Sequence, residues 1–302
     1  MDQVVVNVPA STSNLGPGFD TIGMALSLYT TITMSKSEQT DIIMADEPLK
    51  TITKLEDNLV YQGAKIVFEK AGVDHFPLKL EISSDIPLKR GLGSSGAAII
   101  GGMMGANALL GTPFSKDEIF QMAAKLEGHP DNVSAALFGG VMIAAKSAAG
   151  TYSYVKLAAP PELRAVVAIP EIELSTKKMR AVLPSSYTKE DTVFAVNHVA
   201  LFVAALATRQ IELLHDAMQD TLHQPYRSKF VPCLDRLMEE GREHGAFGVA
   251  LSGAGPTIVA LATDRARELA RFMMETYEEQ GIQAEIKILT VDDVGATVEK
   301  GN

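Results

Sequence analysis

The chain has 302 residues, 46% of them apolar and 21% charged, a composition that excludes wholesale disorder and suggests about two domains. Its 27 lysines and arginines against 37 acidic residues give a net charge of −10, so we do not expect a nucleic-acid-binding protein, which needs clustered positive charge. The single Cys233 excludes an intrachain disulfide and a thiolate zinc site. We therefore expect a protein of the reducing cytoplasm.

Neither a targeting segment nor a membrane span is expected from the sequence. The N-terminus lacks a basic region and meets Pro9 before any long apolar stretch. The two longest apolar runs, Ala97–Leu110 and Val193–Thr208, are interrupted by polar residues and fall short of the ~18 clean apolar residues that a span requires.

The first half of the chain mixes strands and helices. Asn58–Ala71 has helical spacing and ends before Gly72, Ala97–Leu110 is apolar nearly all round, and Ser115 with Glu118 forms a capping box for a helix through Leu126. Segments rich in Val, Ile, Thr and Tyr, or with alternating apolar residues, predict strands. The predicted strands are Gln3–Val8, Leu26–Met34, Asp41–Met44 and Phe76–Ser83.

A stretch rich in Ala, Gly, Ser and Pro at Ala148–Pro161 marks the predicted boundary between two domains, residues 1–155 and 156–302. The element order beyond it is typical of a split-βαβ, ferredoxin-like sandwich, so the predicted fold class is α+β. The predicted elements are strand Leu163–Ile169, helices within Thr188–Asp220 and over Pro232–His244, strands Phe247–Leu251 and Thr257–Leu261, helix Arg265–Glu279 and strand Gln283–Leu289.

The most informative segment is glycine-rich, Ile86–Ala98, between a predicted strand and a predicted helix. Glycines let the backbone approach a ligand closely, and the start of a helix offers unpaired N–H groups that favour an anion. Ser94 and Ser95 add hydroxyls suited to phosphate or Mg²⁺, and Lys89 and Arg90 add positive charge. The segment indicates a phosphate-binding loop, with a plain turn of the chain as the alternative.

Better-known phosphate motifs do not fit this segment. Its glycines match G-x-G-x-x-G, but seven residues separate the strand from Gly91, where a dinucleotide-binding turn is tight. A P-loop is excluded because Gly96 is followed by Ala97 instead of Lys. The protein-kinase signatures H-R-D and D-F-G are also missing from the sequence.

Two further glycine-rich segments accompany the first. In Pro9–Asp20, the turn Gly16-Pro17-Gly18 displays Asn14 and Asp20 on either side, and Leu251–Thr257 joins two predicted strands. Each could be an ordinary turn, but three such loops in one chain are harder to explain in that way.

Together the three segments resemble the GHMP kinases, and within that superfamily the homoserine kinases. The resemblance runs from Val8 to Thr257 and includes E-G-H-P-D-N-V at Glu127–Val133, S-T-K-K-M-R at Ser175–Arg180, H-Q-P-Y-R at His223–Arg227 and S-G-A-G-P-T at Ser252–Thr257. It implies a two-domain fold, with an N-terminal ribosomal-S5-like α/β domain that carries ATP and a C-terminal ferredoxin-like domain. It also implies Mg²⁺-ATP-dependent phosphorylation of the side-chain hydroxyl of L-homoserine, on the route from aspartate to threonine, by a cytoplasmic homodimer.

The resemblance also implies roles for individual residues. Arg180 and Arg227 would bind the substrate carboxylate, Asn14 and Asp20 its amino group, and Thr176 would line the same pocket. His129 and Asn132 would be the catalytic residues near the acceptor hydroxyl, while Ser95 and Glu127 would bind Mg²⁺. Asn58 would lie on the adenine side, and the loop residues would bind the nucleotide: Pro87, Leu88, Lys89, Arg90, Gly91, Leu92, Gly93, Ser94, Ser95, Gly96 and Ala97.

On the sequence alone, ordinary structural roles for some of these residues remain possible alternatives. Glu127 would then be a surface carboxylate at a helix end, Arg180 a solvated side chain and His129 a structural histidine. Two functional alternatives also remain. One is another GHMP kinase of the mevalonate or shikimate type, although a substrate without an amino group would leave Asp20 unexplained. The other is a non-catalytic relative that binds a metabolite. Because Asn132 cannot take a proton at neutral pH, we expect no protein base.

Overall fold

The computed structural model describes residues 2–46, 55–74 and 76–301, and their strands form two sheets of seven and four strands. The strands are β1 (Gln3–Asn14), β2 (Gly18–Lys36), β3 (Asp41–Met44), β4 (Leu78–Ser84), β5 (Val141–Lys146), β6 (Tyr152–Leu157), β7 (Arg164–Pro170), β8 (Gly248–Leu251), β9 (Ile258–Ala262), β10 (Ala284–Thr290) and β11 (Thr297–Lys300). The α-helices are α1 (Leu59–Ala71), α2 (Ser94–Leu109), α3 (Lys116–Glu127), α4 (Asp131–Phe138), α5 (Thr176–Ala181), α6 (Lys189–Thr208), α7 (Leu214–Ala217), α8 (Gln224–Arg227), α9 (Leu234–Glu240) and α10 (Ala266–Glu279).

The first sheet is built around the long hairpin β1–β2. Its main path runs β11-β1-β2-β4-β3, and β5 pairs with the beginning of β2 and carries β6 on its other side. Along β1 the side chains of Val4, Val6 and Val8 are fully buried, as expected for a strand with one face on the core. The apolar helix α2 packs on β1, so the start of α2 is held firmly beside the β1–β2 turn.

The second sheet has the order β10-β7-β9-β8, and all its neighbouring strands are antiparallel. When these four strands are numbered by their order in the sequence, their order across the sheet is 4-1-3-2. This is the arrangement of a split-βαβ sandwich, so the predicted ferredoxin-like unit is confirmed. Helix α10 covers the sheet with Leu269, Met273 and Tyr277, each at most 1% exposed.

Several elements differ from their predicted bounds. β1 continues to Asn14 instead of ending at Val8, because the segment after Pro9 pairs with β2 beyond a register shift at Pro9/Ala10. Likewise β2 begins at Gly18 rather than Leu26, and α2 begins at Ser94 rather than Ala97. Helix α9 is shorter than the predicted Pro232–His244, and β5, β6 and β11 were not predicted.

The predicted boundary after residue 155 stays a prediction, but the chain crosses between the sheets twice. β6 still belongs to the first sheet and ends at Leu157, and β11 returns to pair with β1 after the second sheet is complete. The second sheet with its helices is therefore inserted between two strands of the first.

Helix α6 is the one helix among the described residues that is long and apolar enough, by length and composition, to cross a membrane. Core helices of soluble proteins meet the same criterion, and here Phe202, Ala205 and Leu206 on one side of α6 are buried within the protein.

Candidate active site

A cavity of about 630 Å³ lies where all three glycine-rich segments meet. Of the residues that the sequence analysis selected, sixteen line it: Asn14, Asp20, Asn58, Leu88, Lys89, Arg90, Gly91, Gly93, Ser94, Ser95, Glu127, His129, Asn132, Thr176, Arg180 and Arg227. The remaining four, Pro87, Leu92, Gly96 and Ala97, do not. Leu92 and Ala97 are fully buried in the core, Gly96 packs against Asn132, and Pro87 faces a smaller neighbouring cavity.

Direct hydrogen bonds hold the three loops together. The Ser252 hydroxyl donates to the Gly91 carbonyl (2.7 Å), and the Gly253 amide donates to the Ser13 carbonyl (3.1 Å). On the other side the Ser11 amide donates to the Leu92 carbonyl at 3.1 Å. The phosphate loop is thus clamped between the end of β1 and the β8–β9 loop.

Close packing explains why glycine stands at two loop positions. Gly91 and Gly93 have φ values of 83° and 70°, a region that side chains disfavour. A Cβ atom on Gly91 would lie 2.3 Å from the Ser252 carbonyl oxygen, and one on Gly93 would lie 2.0 Å from the Ser11 hydroxyl. A side chain on Gly91 would displace the backbone of the β8–β9 loop, and one on Gly93 would force the Ser11 hydroxyl away from its hydrogen bond to Asn132.

The start of α2 opens onto the cavity. Gly93 is the N-cap residue and makes no side-chain cap, so the first N–H groups of α2 have no capping side chain. Ser94 and Ser95 line the cavity at the same point. Free N–H groups and the positive end of the helix dipole suit a phosphate here.

Ser95 and Glu127 meet in the structure although 32 residues separate them. The Ser95 hydroxyl donates to Glu127 Oε1 in a short hydrogen bond, and the Glu127 side chain is only 12% exposed. The alternative interpretation of Glu127 as a surface carboxylate is therefore wrong. Two oxygen atoms at the start of α2 fit the preference of Mg²⁺ for oxygen ligands.

One end of the cavity is largely apolar. Asn58 is buried there, but its Oδ1 accepts a hydrogen bond from the Tyr61 amide (3.0 Å) and so caps α1. Residues that the sequence analysis missed supply most of this surface, which would suit the flat face of a base. They are Thr30, Met44, Leu59, Val60, Ile82, Ser84 and Ala98.

At the other end, His129, Asp131 and Asn132 form a hydrogen-bonded group at the start of α4. His129 Nδ1 donates to Asp131 Oδ1 at 2.6 Å, and the backbone N–H of Asn132 donates to the same oxygen at 2.8 Å. The Asn132 side chain accepts from the Ser11 hydroxyl (2.9 Å) and donates to that of Ser13 (3.1 Å). Asn132 is therefore held by β1.

The His129–Asp131 contact shifts the pKa of each partner. Burial lowers the pKa of His129, but the hydrogen bond and charge of Asp131, with Glu127 and Asp20, outweigh it and leave the pKa raised. Burial raises the pKa of Asp131, yet the hydrogen bond and charge of His129 and the Asn132 amide outweigh it and leave the pKa lowered. Both shifts stabilise the charged pair.

Arg180 forms a two-pronged ion pair with Asp20. Its Nη1 and Nη2 donate to the two carboxylate oxygens at 2.9 and 2.5 Å. This contact, first of all its hydrogen bond, raises the pKa of Arg180. The structure thus joins one predicted carboxylate-binding residue to one predicted amine-binding residue.

Arg227 is almost completely buried, at 2% exposure. Its Nε donates to the Met179 carbonyl (3.0 Å), and its Nη1 donates to the Gly253 carbonyl (3.1 Å) and to His223 Nδ1 (3.2 Å). Burial, followed by the charge of Arg180, lowers the pKa of Arg227 to about 10, so the guanidinium stays charged at neutral pH.

Two residues that the sequence analysis did not assign organise the arginines. The Phe19 ring lies 5.3 Å from each guanidinium and stacks on His223 with a centroid distance of 5.3 Å. His223 Nε2 donates to the Gly16 carbonyl at 2.8 Å, so its Nδ1 is free to accept from Arg227. His223 stands in the quoted H-Q-P-Y-R segment, which was its only signal in the sequence.

Comparison with known proteins identifies the family. The profile for the GHMP kinases N terminal domain matches residues 58–140, and the profile for the GHMP kinases C terminal domain matches residues 202–279. The homoserine kinase of Moorella thermoacetica is 42% identical to this chain, and the match covers 97% of this chain and 99% of that protein. The homoserine kinase of Deinococcus radiodurans is 40% identical, and the match covers 97% of this chain and 96% of that protein. The crystal structure of homoserine kinase from Cytophaga hutchinsonii superimposes with a TM-score of 0.90 at 28% identity, covering 99% of this chain and 98% of its own. The two-domain fold, the three clamped loops and these similarities show that the chain belongs to the homoserine kinases of the GHMP superfamily.

Proposed function

We propose that this protein transfers the γ-phosphate of ATP to the side-chain hydroxyl of L-homoserine. The observation that carries the proposal is the order of surfaces in one cavity: an apolar end for a base, the start of α2 for phosphates, and an end with two arginines and a carboxylate for an amino acid. A zwitterion needs both signs of charge close together, and Arg180, Arg227 and Asp20 supply them.

The substrate carboxylate would lie between the two guanidinium groups. Arg180 and Arg227 repel each other, since the charge of Arg180 lowers the pKa of Arg227, and a carboxylate between them would relieve this repulsion. A guanidinium binds a carboxylate through two parallel hydrogen bonds, which fixes orientation as well as position. Thr176, at the start of α5, lines the same part of the cavity.

The substrate amino group would bind at Asp20 and Asn14. The Asp20 amide already donates to Asn14 Oδ1 (3.1 Å), and the Asn14 side chain donates to the Gly253 carbonyl (3.1 Å). These contacts hold both residues at the β1–β2 turn, with the Asp20 carboxylate beside Arg180. An ammonium group would share that carboxylate with Arg180.

The acceptor hydroxyl would be held by Asn132 rather than deprotonated by it. Asn132 Oδ1 accepts one hydrogen bond from Ser11 and keeps a second lone pair for the substrate. In the charged pair, Asp131 has a lowered pKa and is a weak base, and the protonated His129 cannot accept a further proton. Phosphoryl transfer depends chiefly on positioning and charge stabilisation. The proton would pass to the γ-phosphate or to water.

Ser95 and Glu127 would hold Mg²⁺ beside the phosphates, at the start of α2. When bound, the ion would offset phosphate charge, in addition to the N–H groups of the loop and helix. His129 Nε2 lies 4.0 Å from Glu127 Oε1, which links the proposed metal-binding and acceptor groups.

The cellular setting belongs to the same proposal. Phosphorylated homoserine would serve threonine biosynthesis, and we propose a cytoplasmic homodimer that binds neither nucleic acid nor membrane. A net charge of −10 supports the exclusion of nucleic acid.

The test is a coupled ADP-release assay with L-homoserine, mevalonate, galactose and shikimate as acceptors. We expect turnover with homoserine to exceed that with each of the others by at least tenfold. Preference for mevalonate or shikimate would refute the assignment of the charged end, and absence of turnover with every acceptor would favour a non-catalytic metabolite-binding protein.

A further inference from the structure

The side chain of His223 is completely buried and joins two parts of the acceptor end of the cavity. Its Nε2 donates to the Gly16 carbonyl in the β1–β2 turn at 2.8 Å, and its Nδ1 accepts from Arg227 Nη1 at 3.2 Å. In the sequence, Gly16 stands between Asn14 and Asp20, which are proposed to bind the substrate amino group, whereas Arg227 is proposed to bind the carboxylate. The ring therefore connects the amine-binding side of the site to the carboxylate-binding side.

We propose that His223 is a positioning residue that ties Arg227 to the β1–β2 turn and so sets the spacing between the carboxylate-binding and amine-binding groups. This tie selects acceptors that carry both groups on one carbon atom. His223 acts through Arg227 and does not line the cavity itself. The proposal rests on the proposed function, because it assumes an amino acid as the acceptor.

The two contacts of the ring allow a single protonation state. The Gly16 carbonyl requires an N–H at Nε2, and the Arg227 guanidinium requires a lone pair at Nδ1. The other neutral tautomer would oppose two lone pairs at Gly16 and two N–H groups at Arg227, and a protonated ring would keep the second conflict. Burial lowers the pKa of His223 and outweighs the opposing charge of Asp220, so the ring stays neutral at neutral pH.

The backbone and the ring of His223 are both held in place. The buried Asp220 carboxylate accepts hydrogen bonds from the backbone N–H groups of Leu222, His223 and Gln224, at 2.8, 2.9 and 2.8 Å. The ring stacks on Phe19 with a centroid distance of 5.3 Å and an interplanar angle of 29°. His223 can thus act as a rigid connection.

The β1–β2 turn is packed tightly against the chain just before His223. Gly16 has a φ of 90°, and a Cβ atom on it would lie 2.2 Å from the Met218 carbonyl oxygen. Glycine at this position lets the backbone of the turn approach closely enough for its carbonyl to reach the ring.

A second link between the two sides limits the effect expected from His223. The Gly253 carbonyl accepts from both Asn14 Nδ2 and Arg227 Nη1, each at 3.1 Å, and the Met179 carbonyl holds Arg227 Nε. These acceptors are backbone groups, which every side-chain substitution leaves in place. Removal of the His223 tie should therefore weaken the spacing without abolishing the site.

Two variants of His223 break the tie at opposite ends. In His223→Gln the amide N–H can reach the Gly16 carbonyl, but no acceptor remains at the Nδ1 position. In His223→Asn the amide oxygen can accept from Arg227, but no donor remains at the Nε2 position. Each variant keeps one hydrogen bond, and His244→Gln and His244→Asn are the matched controls, because His244 also stacks on a phenylalanine, Phe272 (3.9 Å), outside the cavity.

Steady-state kinetics of these variants are the first measurement. We expect both His223 variants to raise KM for homoserine about tenfold, since each loses one hydrogen bond of the connection to a charged group. We expect kcat and KM for ATP to stay within about threefold of wild type, because uniform binding of the acceptor is lost and not the chemistry. An effect of His223→Gln alone would make His223 a local partner of Arg227, and an effect of His223→Asn alone would make it a support of the turn. Either result would overturn the tie.

Aminopropanol, which is homoserine without its carboxylate, distinguishes positioning from general damage. Its inhibition constant against homoserine should change less than about threefold in both His223 variants, because it has no group for Arg227 to bind. An equal loss of affinity for homoserine and aminopropanol would indicate a merely structural role and refute the proposal.

A double-mutant cycle tests whether His223 acts through Arg227. In an Arg227→Lys background we expect either His223 substitution to raise KM for homoserine by less than about twofold further, because coupled residues are not additive. Additive effects would contradict the proposal. Absence of homoserine turnover by the wild type would refute the proposed function, and this inference with it, whereas normal wild-type turnover with unaffected His223 variants would refute this inference alone.

Discussion

The phosphate end and the acceptor end of the cavity are constructed in different ways. At the phosphate end the surface is mostly backbone, and hydrogen bonds from two other loops fix its shape. At the acceptor end the surface consists of charged side chains, each already engaged with another side chain or carbonyl. Activity should therefore depend on side-chain volume at the phosphate end and on the identity of the charged group at the acceptor end. Substitutions at the two ends should have different effects.

The largest effect is expected at Gly93. Gly93→Ala would place a Cβ 2.0 Å from the Ser11 hydroxyl in a backbone with φ of 70°, so Ser11 must leave its hydrogen bond to Asn132 or the phosphate loop must move. We expect kcat/KM to fall more than a hundredfold. Gly72→Ala is the matched control, because Gly72 has a similar φ of 65° but open space around it, and should keep full activity. Equal activity of the two variants would show that the clamp is unimportant.

Ser95→Ala should lower kcat with Mg²⁺-ATP by well over tenfold while the protein stays folded. The hydroxyl belongs to the first turn of α2 and contacts Glu127, beside the place where Mg²⁺ and phosphate would lie. Initial rates over a range of Mg²⁺ concentrations, with circular dichroism as the folding check, measure the effect. Turnover close to normal with an unchanged Mg²⁺ requirement would contradict the assignment.

Arg227→Lys and Arg180→Lys should act on the acceptor and not on the nucleotide. Loss of a two-pronged contact with a carboxylate costs on the order of 1.5–3 kcal/mol, so KM for homoserine should rise roughly ten- to hundredfold with little change in KM for ATP. An equal rise in both constants would move the arginines to the phosphate end.

Asn132→Ala should reduce kcat about tenfold and leave the acid limb of the pH profile in place, because an amide that positions a hydroxyl does not titrate. Asn132→Asp should not restore activity, since a carboxylate would repel the γ-phosphate. A pKa between about 5 and 8 that disappears from kcat when His129 or Asp131 is replaced would reveal a protein base.

The smallest effect concerns stability. The raised pKa of His129 gives stabilisation that is full below its ordinary pKa of 6.5 and is lost as pH rises through the folded value. The lowered pKa of Asp131 gives stabilisation that is full above its ordinary 3.8 and is lost as pH falls through the folded value. His129→Asn should therefore destabilise most between about pH 4 and 6.5, by about 1 kcal/mol. A Tm difference that does not change between pH 5.5 and 9 would contradict this.

The contrast between the two ends also explains what could be read from the sequence. The phosphate loop is contiguous, so its glycines and serines stand next to one another, and the capping box at Ser115 was likewise local and is confirmed. The acceptor end joins residues up to about 240 positions apart, such as Asn14 and Gly253, and only the resemblance to a family could bring them together.

Other features carried no local signal. Phe19 resembles any core aromatic residue until its contacts with both arginines are seen. The extension of β1 through Ala10–Asn14 contains a single β-branched residue, Thr12, and forms because β2 lies beside it. The short β11 owes its pairing to β1 at the other end of the chain.

The return of the chain to β1 has a mechanical consequence. Two connections, one after β6 and one before β11, tie the second sheet to the first, so the first sheet is complete only after the chain has returned from the second. During synthesis the first sheet lacks its β11 edge until residues 297–300 have left the ribosome. Cutting the connection between β10 and β11 should therefore loosen the first sheet as well as the second. The first sheet would no longer hold β11 through the chain, and its β1 edge would lose its covering strand.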